Sequence, residues 1–308
     1  MPKVSYTLTK MNYATVKVSS ASSHGGYLSN KSGSAADPAS LGVAAILLGK
    51  LNSEYYEASL RQRKVLLDST PRFANGAISH RVKLAALWSD FMYMAPPFLA
   101  LSAFESRDEQ LFTDVVRQCE LQKQILADDR TGLWRHVIGP EKQDEGFWST
   151  GNGWAACGLV RVYALLLKYK SIIHPREFPK GVEDSLLRSI SDILQGAVAS
   201  DRDENNLLRN YLNDKSYFGE NAGTAAIASA IYRMAILKPS VLGERALAWA
   251  ETARKTVLSN IAEDGVVSPV ANPMDSHDRK PCSGSAEGQA FVLLLIAAYK
   301  DWKRNQAT

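Results

Sequence analysis

Apolar residues recur at three- and four-residue spacing along most of the chain, the period of a helix with one buried face. Between 41 and 67, Ile46, Leu47, Leu51, Tyr55, Leu60 and Val65 keep that rhythm and predict one long amphipathic helix or a helix pair. The stretch 69–76 breaks it, and Asn75-Gly76 is a strong turn signal. A second helical region is predicted over 84–104, interrupted by Pro96-Pro97. A third, 110–126, carries Leu111, Val115, Val116, Cys119, Leu121 and Ile125 on one face. Helices are then predicted from Trp154 onward and over 183–199, 224–237, 242–261 and 286–302. In the last, Phe291, Leu294, Leu295, Ala298 and Trp302 form an apolar stripe. The first 38 residues, rich in Ser, Gly, Asn and Lys, read as irregular, with Asp37-Pro38 opening the first helix of a single domain over 39–308.

No alternating run long enough for a sheet strand stands out, so the class is all-α. The longer joints, near 68–83, 128–153, 201–223 and 264–287, recur roughly every 50 to 70 residues and hold most of the Gly, Asn, Asp, His and Trp. A repeated helix pair with its chemistry on one set of loops predicts a closed ring of hairpins, an α/α toroid, with an open helical solenoid as the alternative.

Composition narrows the function classes. Hydrophobic content of 45% and charged content of 22% are those of an ordinary globular protein. The net charge of +4 is spread among both signs without a basic run, which argues against nucleic acid. Cys119, Cys157 and Cys282 are too few and too dispersed for a disulfide framework or a zinc site. The longest apolar stretches are about half of what a bilayer requires, so no membrane partner is expected. The opening residues lack the apolar core of a secretory signal, which predicts a cytoplasmic protein unless a leader is missing. Asn30-Lys31-Ser32 is a lone glycosylation sequon.

The candidate chemistry clusters in a few stretches. Asp90 stands in the otherwise apolar, aromatic segment from Leu87 to Met94. Desolvation there favours the neutral acid and suits a proton donor, unless Asp90 caps a helix or pairs with Arg81 or Lys83. Asp128 and Asp129 precede Thr131-Gly132 and read as turn chemistry, whereas His136, close to Trp134, is a better site candidate. Asp144 and Glu145 follow as a pair of acids, more often solvated surface. In Trp148-Ser149-Thr150-Gly151-Asn152-Gly153-Trp154, a Gly-Asn-Gly turn separates two aromatic faces, and Asn152 or Ser149 is placed to cap the following helix. The two tryptophans are either a sugar platform or core residues clamping a loop. Asp201-Arg202-Asp203 lacks the glycine and later glutamate of a calcium loop. Glu220 and Glu287 are helix caps or line the ring. There is no phosphate-binding loop, no nucleophile elbow and no His-Glu-x-x-His, so no cofactor and no metal are expected. Acids on aromatic-rich loops fit glycoside chemistry best.

Four motifs in order then carry a resemblance: Trp88-Ser89-Asp90-Phe91-Met92-Tyr93-Met94, Thr131-Gly132-Leu133-Trp134-Arg135-His136, Trp148-Ser149-Thr150-Gly151-Asn152-Gly153-Trp154 and Ser285-Ala286-Glu287-Gly288-Gln289. Together they resemble the unsaturated rhamnogalacturonyl and glucuronyl hydrolases, the six-hairpin glycosidases of families 105 and 88, over roughly residues 40 to 303. The resemblance implies an (α/α)6 toroid, with the front hairpins missing or remodelled. It also implies an oligosaccharide substrate whose terminal uronic acid carries a C4–C5 double bond. An aspartic acid would protonate that vinyl ether, water would add at C5, and the hemiketal would collapse to release the sugar. On that basis Asp90 is the proton donor and Asp144 or His136 assists water. Trp88, Met94, Trp134, His136, Trp148, Asn152 and Trp154 are placed around the sugar. Two departures stand out. Val137-Ile138-Gly139-Pro140 occupies the place of the family's second aspartate, with Asp144 the nearest replacement. Thr150 stands where an arginine is usual. Both leave open a diverged enzyme, such as an isomerase or cyclase of a hydrophobic small molecule, or a non-catalytic scaffold.

Overall fold

A computed structural model describes residues 25–29, 33–173 and 181–307. The periodic segments fold as helices that pair into hairpins. Short α1 (Ala36–Ala39) leads to α2 (Gly42–Leu48) and α3 (Ser53–Lys64), so the 41–67 region is a pair rather than one helix. Asn52 ends the ambiguity, because its side chain accepts the Glu54 amide at 3.0 Å and caps α3. A π turn (Val65–Ser69) closes α3. Next come α4 (Phe91–Met94) and α5 (Pro96–Ser106), with Pro96-Pro97 as the first residues of α5, where no amide partner is needed. Then follow α6 (Glu109–Leu126), α7 (Ser149–Ile173), α8 (Val182–Ala199), α9 (Asn221–Leu237), α10 (Glu244–Ser259) and α11 (Ala286–Gln306).

An inner row, α2, α5, α7, α9 and α11, packs neighbour on neighbour, and α3, α6, α8 and α10 back it as the outer partners of four hairpins among the described residues. Composition decides which helix is inner. In α9 fourteen of seventeen residues are buried, most of them Ala, Gly, Ser or Ile, so the helix can be surrounded on every side. One core cluster runs from Tyr27 to Ala298. Most of the irregular segment expected over 1–38 and all of the Asn30-Lys31-Ser32 sequon lie outside the described residues; within the described part, Leu28 and Ala35 are already buried.

Two expectations are corrected. A two-residue antiparallel pair does form, β1 (Leu87–Trp88) with β2 (Val137–Ile138), in the register Trp88 to Val137. It is too short for any alternation to show. The Gly-Asn-Gly stretch is not a turn: Gly151, Asn152 and Gly153 lie inside α7. Their glycines serve close approach instead. A Cβ on Gly151 would sit 2.5 Å from Ser89 Oγ, and one on Gly153 would sit 2.5 Å from the Ala226 Cβ.

The long joints share one build. After α3, α6, α8 and α10 the chain makes a small antiparallel bridge: Arg72 to Ile78, Ala127 to Trp134, Arg202 to Leu208, Ile261 to Val267. Each contains one left-handed residue, Gly76, Gly132, Asn206 or Gly265, which only glycine or asparagine adopts readily. Four positions beyond each stands His80, His136, Asn210 or Pro269. The repeat therefore delivers one side chain per hairpin to the same rim. No helix among the described residues is long and apolar enough to cross a membrane.

Candidate active site

Asp90 sits where β1 turns into α4. Its side chain caps no helix and pairs with neither Arg81 nor Lys83. Arg81 instead lies over the Trp88 ring at 5.9 Å. The carboxylate is 15% exposed, accepts Ser89 Oγ at 3.2 Å, and has His136 Nε2 at 3.7 Å from its Oδ2.

His136 precedes β2, held by its carbonyl on the Ser89 amide at 3.0 Å. Beyond it, Val137 and Asp144 exchange backbone hydrogen bonds of 2.8 and 2.9 Å, which folds Asp144 back over the imidazole. His136 Nδ1 then lies 2.8 Å from Asp144 Oδ2. Asp144 is buried, not the solvated surface acid the sequence suggests, and it collects donors: the Gly146 amide at 3.0 Å, the Tyr211 hydroxyl, and His277 Nε2 at 3.2 Å. Burial pushes its pKa up, but the bonds from His136 and Tyr211, the His136 charge and the Gly146 amide outweigh that and hold it below the usual value. The Tyr211 phenol is pushed upward, by burial and then by Asp144. Since Tyr211 has one proton and gives it to Asp144, Ser276 Oγ at 2.9 Å donates to the phenol oxygen.

Aromatic rings bind this cluster together. Trp88 meets His136 edge-on at 5.5 Å, and Trp148 lies against its other side at 4.6 Å. Trp148 Nε1 donates to Asn210 Oδ1 at 2.9 Å, and Trp88 stacks on His80 at 4.9 Å. His80 Nε2 in turn lies 3.3 Å from Asp37 Oδ1. A cavity of about 490 Å³ opens over these groups, walled by Trp88, Asp90, His136, Asp144 and Trp148, with Lys142 and the 273–277 loop across it. Among the described residues no cluster of His, Cys, Asp and Glu could hold a metal ion.

Four residues expected at the ligand lie elsewhere. Trp134 is fully buried. Asn152 is buried beneath the site, with its amide bonded to the Trp134 amide and carbonyl and to the Trp148 carbonyl at 2.8–2.9 Å. It therefore ties two loops together and caps no helix. Trp154 packs on Tyr93 and Phe291 at 4.7 and 4.4 Å, outside the lining of this cavity. Met94 packs against the core at the end of α4. The sequence reading missed Tyr211, Ser276, His277 and the Asp37–His80 pair; the left-handed turn repeat, which places Asn210 and His80 in register with His136, was the signal that points to two of these segments.

Beneath the cavity lie two more acids. Glu220 caps α9, accepting the Ala222 and Gly223 amides at 2.6 Å, together with Ser149 Oγ at 2.6 Å and Thr150 Oγ1 at 3.1 Å. Thr150, in the place of the usual arginine, is thus consumed by a buried acid whose pKa burial raises. Glu287 is not a cap, since Ser285 fills that role for α11. It accepts Trp154 Nε1 at 2.7 Å through Oε1, while Oε2 is buried without a partner. Burial, then the charge of Asp90, pushes its pKa up to about 8.

Comparison with known proteins agrees with this architecture. The chain is 26% identical over 243 residues to unsaturated rhamnogalacturonyl hydrolase YesR of Bacillus subtilis, a match covering 75% of this chain but 65% of that protein. A possible member of glycoside hydrolase family 105 from Salmonella enterica superposes with a TM-score of 0.73 at 18% identity, over 85% of this chain and 70% of its own. A family 105 glycoside hydrolase from C. acetobutylicum superposes with 0.69 at 20% identity, over 86% and 79%. These likenesses give the fold, the all-α (α/α)6 toroid of helical hairpins, and set aside the open solenoid. The model of Glycosyl Hydrolase Family 88 matches residues 10–297, and the chain belongs to that family.

Proposed function

We propose that the protein is a glycoside hydrolase that removes a terminal 4,5-unsaturated uronic acid from small oligosaccharides by hydrating its vinyl ether. The single observation that carries this reading is Asp90 in the cavity wall, free of any cap or arginine and flanked by Trp88 and His136. The Bacillus subtilis relative, an unsaturated rhamnogalacturonyl hydrolase, points to the same reaction class.

Asp90 gives its proton to C4, and positive charge develops across C5 and the ring oxygen. Water adds at C5 and loses its proton to His136. The C5 hemiketal then opens at the ring oxygen, and the hemiacetal left at C1 expels the sugar. Neither a covalent glycosyl-enzyme nor a metal enters these steps. Asp144, saturated with donors, stays ionised; it fixes the His136 Nδ1 proton and stabilises the imidazolium, so we place it behind the imidazole rather than at the substrate. Trp88, half-buried in the cavity wall, supplies a flat face for the sugar, while Trp148 is buried against His136 and holds the imidazole in place.

The uronate carboxylate needs a cation, and Thr150 cannot provide one. Lys142 lines the same cavity and takes that part. Its presence favours an acidic substrate over the hydrophobic small molecule of a diverged isomerase or cyclase. The scaffold reading required Asp90 in a salt bridge away from the cavity, the opposite of its setting here. A cytoplasmic setting is supported by three unpaired cysteines. The test is a turnover screen on lyase-generated unsaturated disaccharides, followed by the fall in ultraviolet absorbance as the double bond is hydrated. Failure on every disaccharide would sink the proposal and favour the diverged enzyme.

A further inference from the structure

A second cavity, of about 330 Å³, lies inside the ring on the far side of the Tyr93–Trp154 contact. Its walls step down the inner helices away from the active-site rim: Cys157, Val160, Arg161 and Ala164 on α7, and Ser229 and Arg233 on α9. On α11 it reaches Leu294, eight residues into the helix and so about 12 Å below its start. Val160, Ala164, Ile236, Leu237 and Leu294 make most of the surface apolar.

Two guanidinium groups enter this apolar space, and they differ. Arg233 is matched by Asp301 at 2.6 Å. Arg161 forms no ion pair among the described residues; it lies over the Tyr93 ring, 4.6 Å from the centroid. Among the described residues none within ion-pair distance supplies a counter-charge. Burial pushes the Cys157 thiol up to about 12 and raises the Tyr93 phenol, so both are neutral at physiological pH. A cation held against an aromatic face in an apolar cleft, without an anion, is an arrangement that a ligand completes.

We infer that this cavity is a binding site for a small monoanionic amphiphile, whose carboxylate pairs with Arg161 and whose apolar body lies along Val160, Ala164 and Leu294. The volume lies at the lower end of that of small-molecule pockets, which suits one short chain or a single ring rather than an oligosaccharide. The site is separate from the Asp90 cavity and does not depend on the reaction assigned there.

Isothermal titration of the full chain with octanoate tests it. One saturable site is expected. Arg161→Met, which keeps the stem over Tyr93 and removes the charge, should weaken binding at least tenfold, and 1-octanol should bind the parent at least tenfold more weakly than octanoate. Ala164→Leu fills the cavity without touching charge and should abolish binding, which also covers the case in which Arg161→Met does not fold. Absence of octanoate binding, equal affinity for octanol, or binding that survives either variant would overturn the proposal.

Discussion

His136 and Asp144 are locked together, Nδ1 to Oδ2 at 2.8 Å, and this one contact fixes what the imidazole can do at its other edge. Nε2, at the ring's other edge, faces Asp90 Oδ2 at 3.7 Å, so the imidazole stands between the two carboxylates.

Asp90→Asn keeps the shape and removes the proton. Hydration of an unsaturated disaccharide should slow by about 10² to 10⁴-fold, the usual contribution of a general acid. The assay is the decay of ultraviolet absorbance at saturating substrate. A variant with full activity would move the proton donor elsewhere.

Tyr211→Phe removes the phenol proton from Asp144 and leaves the carboxylate with one donor fewer. Asp144 has a lowered folded pKa, so its contribution to stability is present above the unfolded value of about 3.9 and is lost as pH falls through the folded one. The variant should therefore lose about 1.5–3 kcal/mol at pH near 7 and much less in acid. Urea unfolding at the two pH values reads the difference; an equal loss at both would mean that the phenol acts through packing alone. The acid limb of the activity profile should also move upward as Asp144 becomes easier to protonate.

Most of the helices were legible, because periods near 3.6 survive in α6, α8 and α11 without tertiary help. In the candidate site, Asp90 and His136 stood out from their surroundings in the sequence, and the structure brings the two to one cavity wall. It was not legible where function is shared across distant loops: Tyr211 is 67 positions from Asp144, and no local pattern links them. Trp134 and Asn152 misled for a related reason. A conspicuous polar or aromatic residue next to a site often holds the loops that form it, and only burial separates the two roles. The glycines of α7 read as a turn because the sequence does not reveal which neighbour presses on them.

Gly158→Ala tests that last point. A Cβ there would sit 2.0 Å from the Met92 carbonyl oxygen and 2.3 Å from its carbon, both backbone atoms that cannot swing aside. α4 must move off α7, taking Asp90 with it. The expected loss is about 3 kcal/mol in denaturant unfolding, at the upper end for overpacking, with weakened activity in the fraction that folds. A change below about 0.5 kcal/mol, the range of ordinary surface substitutions, would show that the two helices are not in this contact.

Glu287→Gln separates a structural acid from a charged one. Its folded pKa is raised to about 8, by burial and then by Asp90, against about 4.3 when unfolded. Between those values the folded state binds the extra proton, so the group lowers stability progressively as pH rises from near 4.3 toward 8. Glutamine keeps the oxygen that accepts Trp154 Nε1 and cannot ionise. The parent should therefore lose stability relative to the variant between pH near 5 and near 9, by about 2 kcal/mol or more, while the two stay close at the acid end. Thermal unfolding across that range checks the sign. If the parent and Glu287→Gln curves run parallel, Glu287 is not held neutral by its burial, and its Trp154 contact is its whole role.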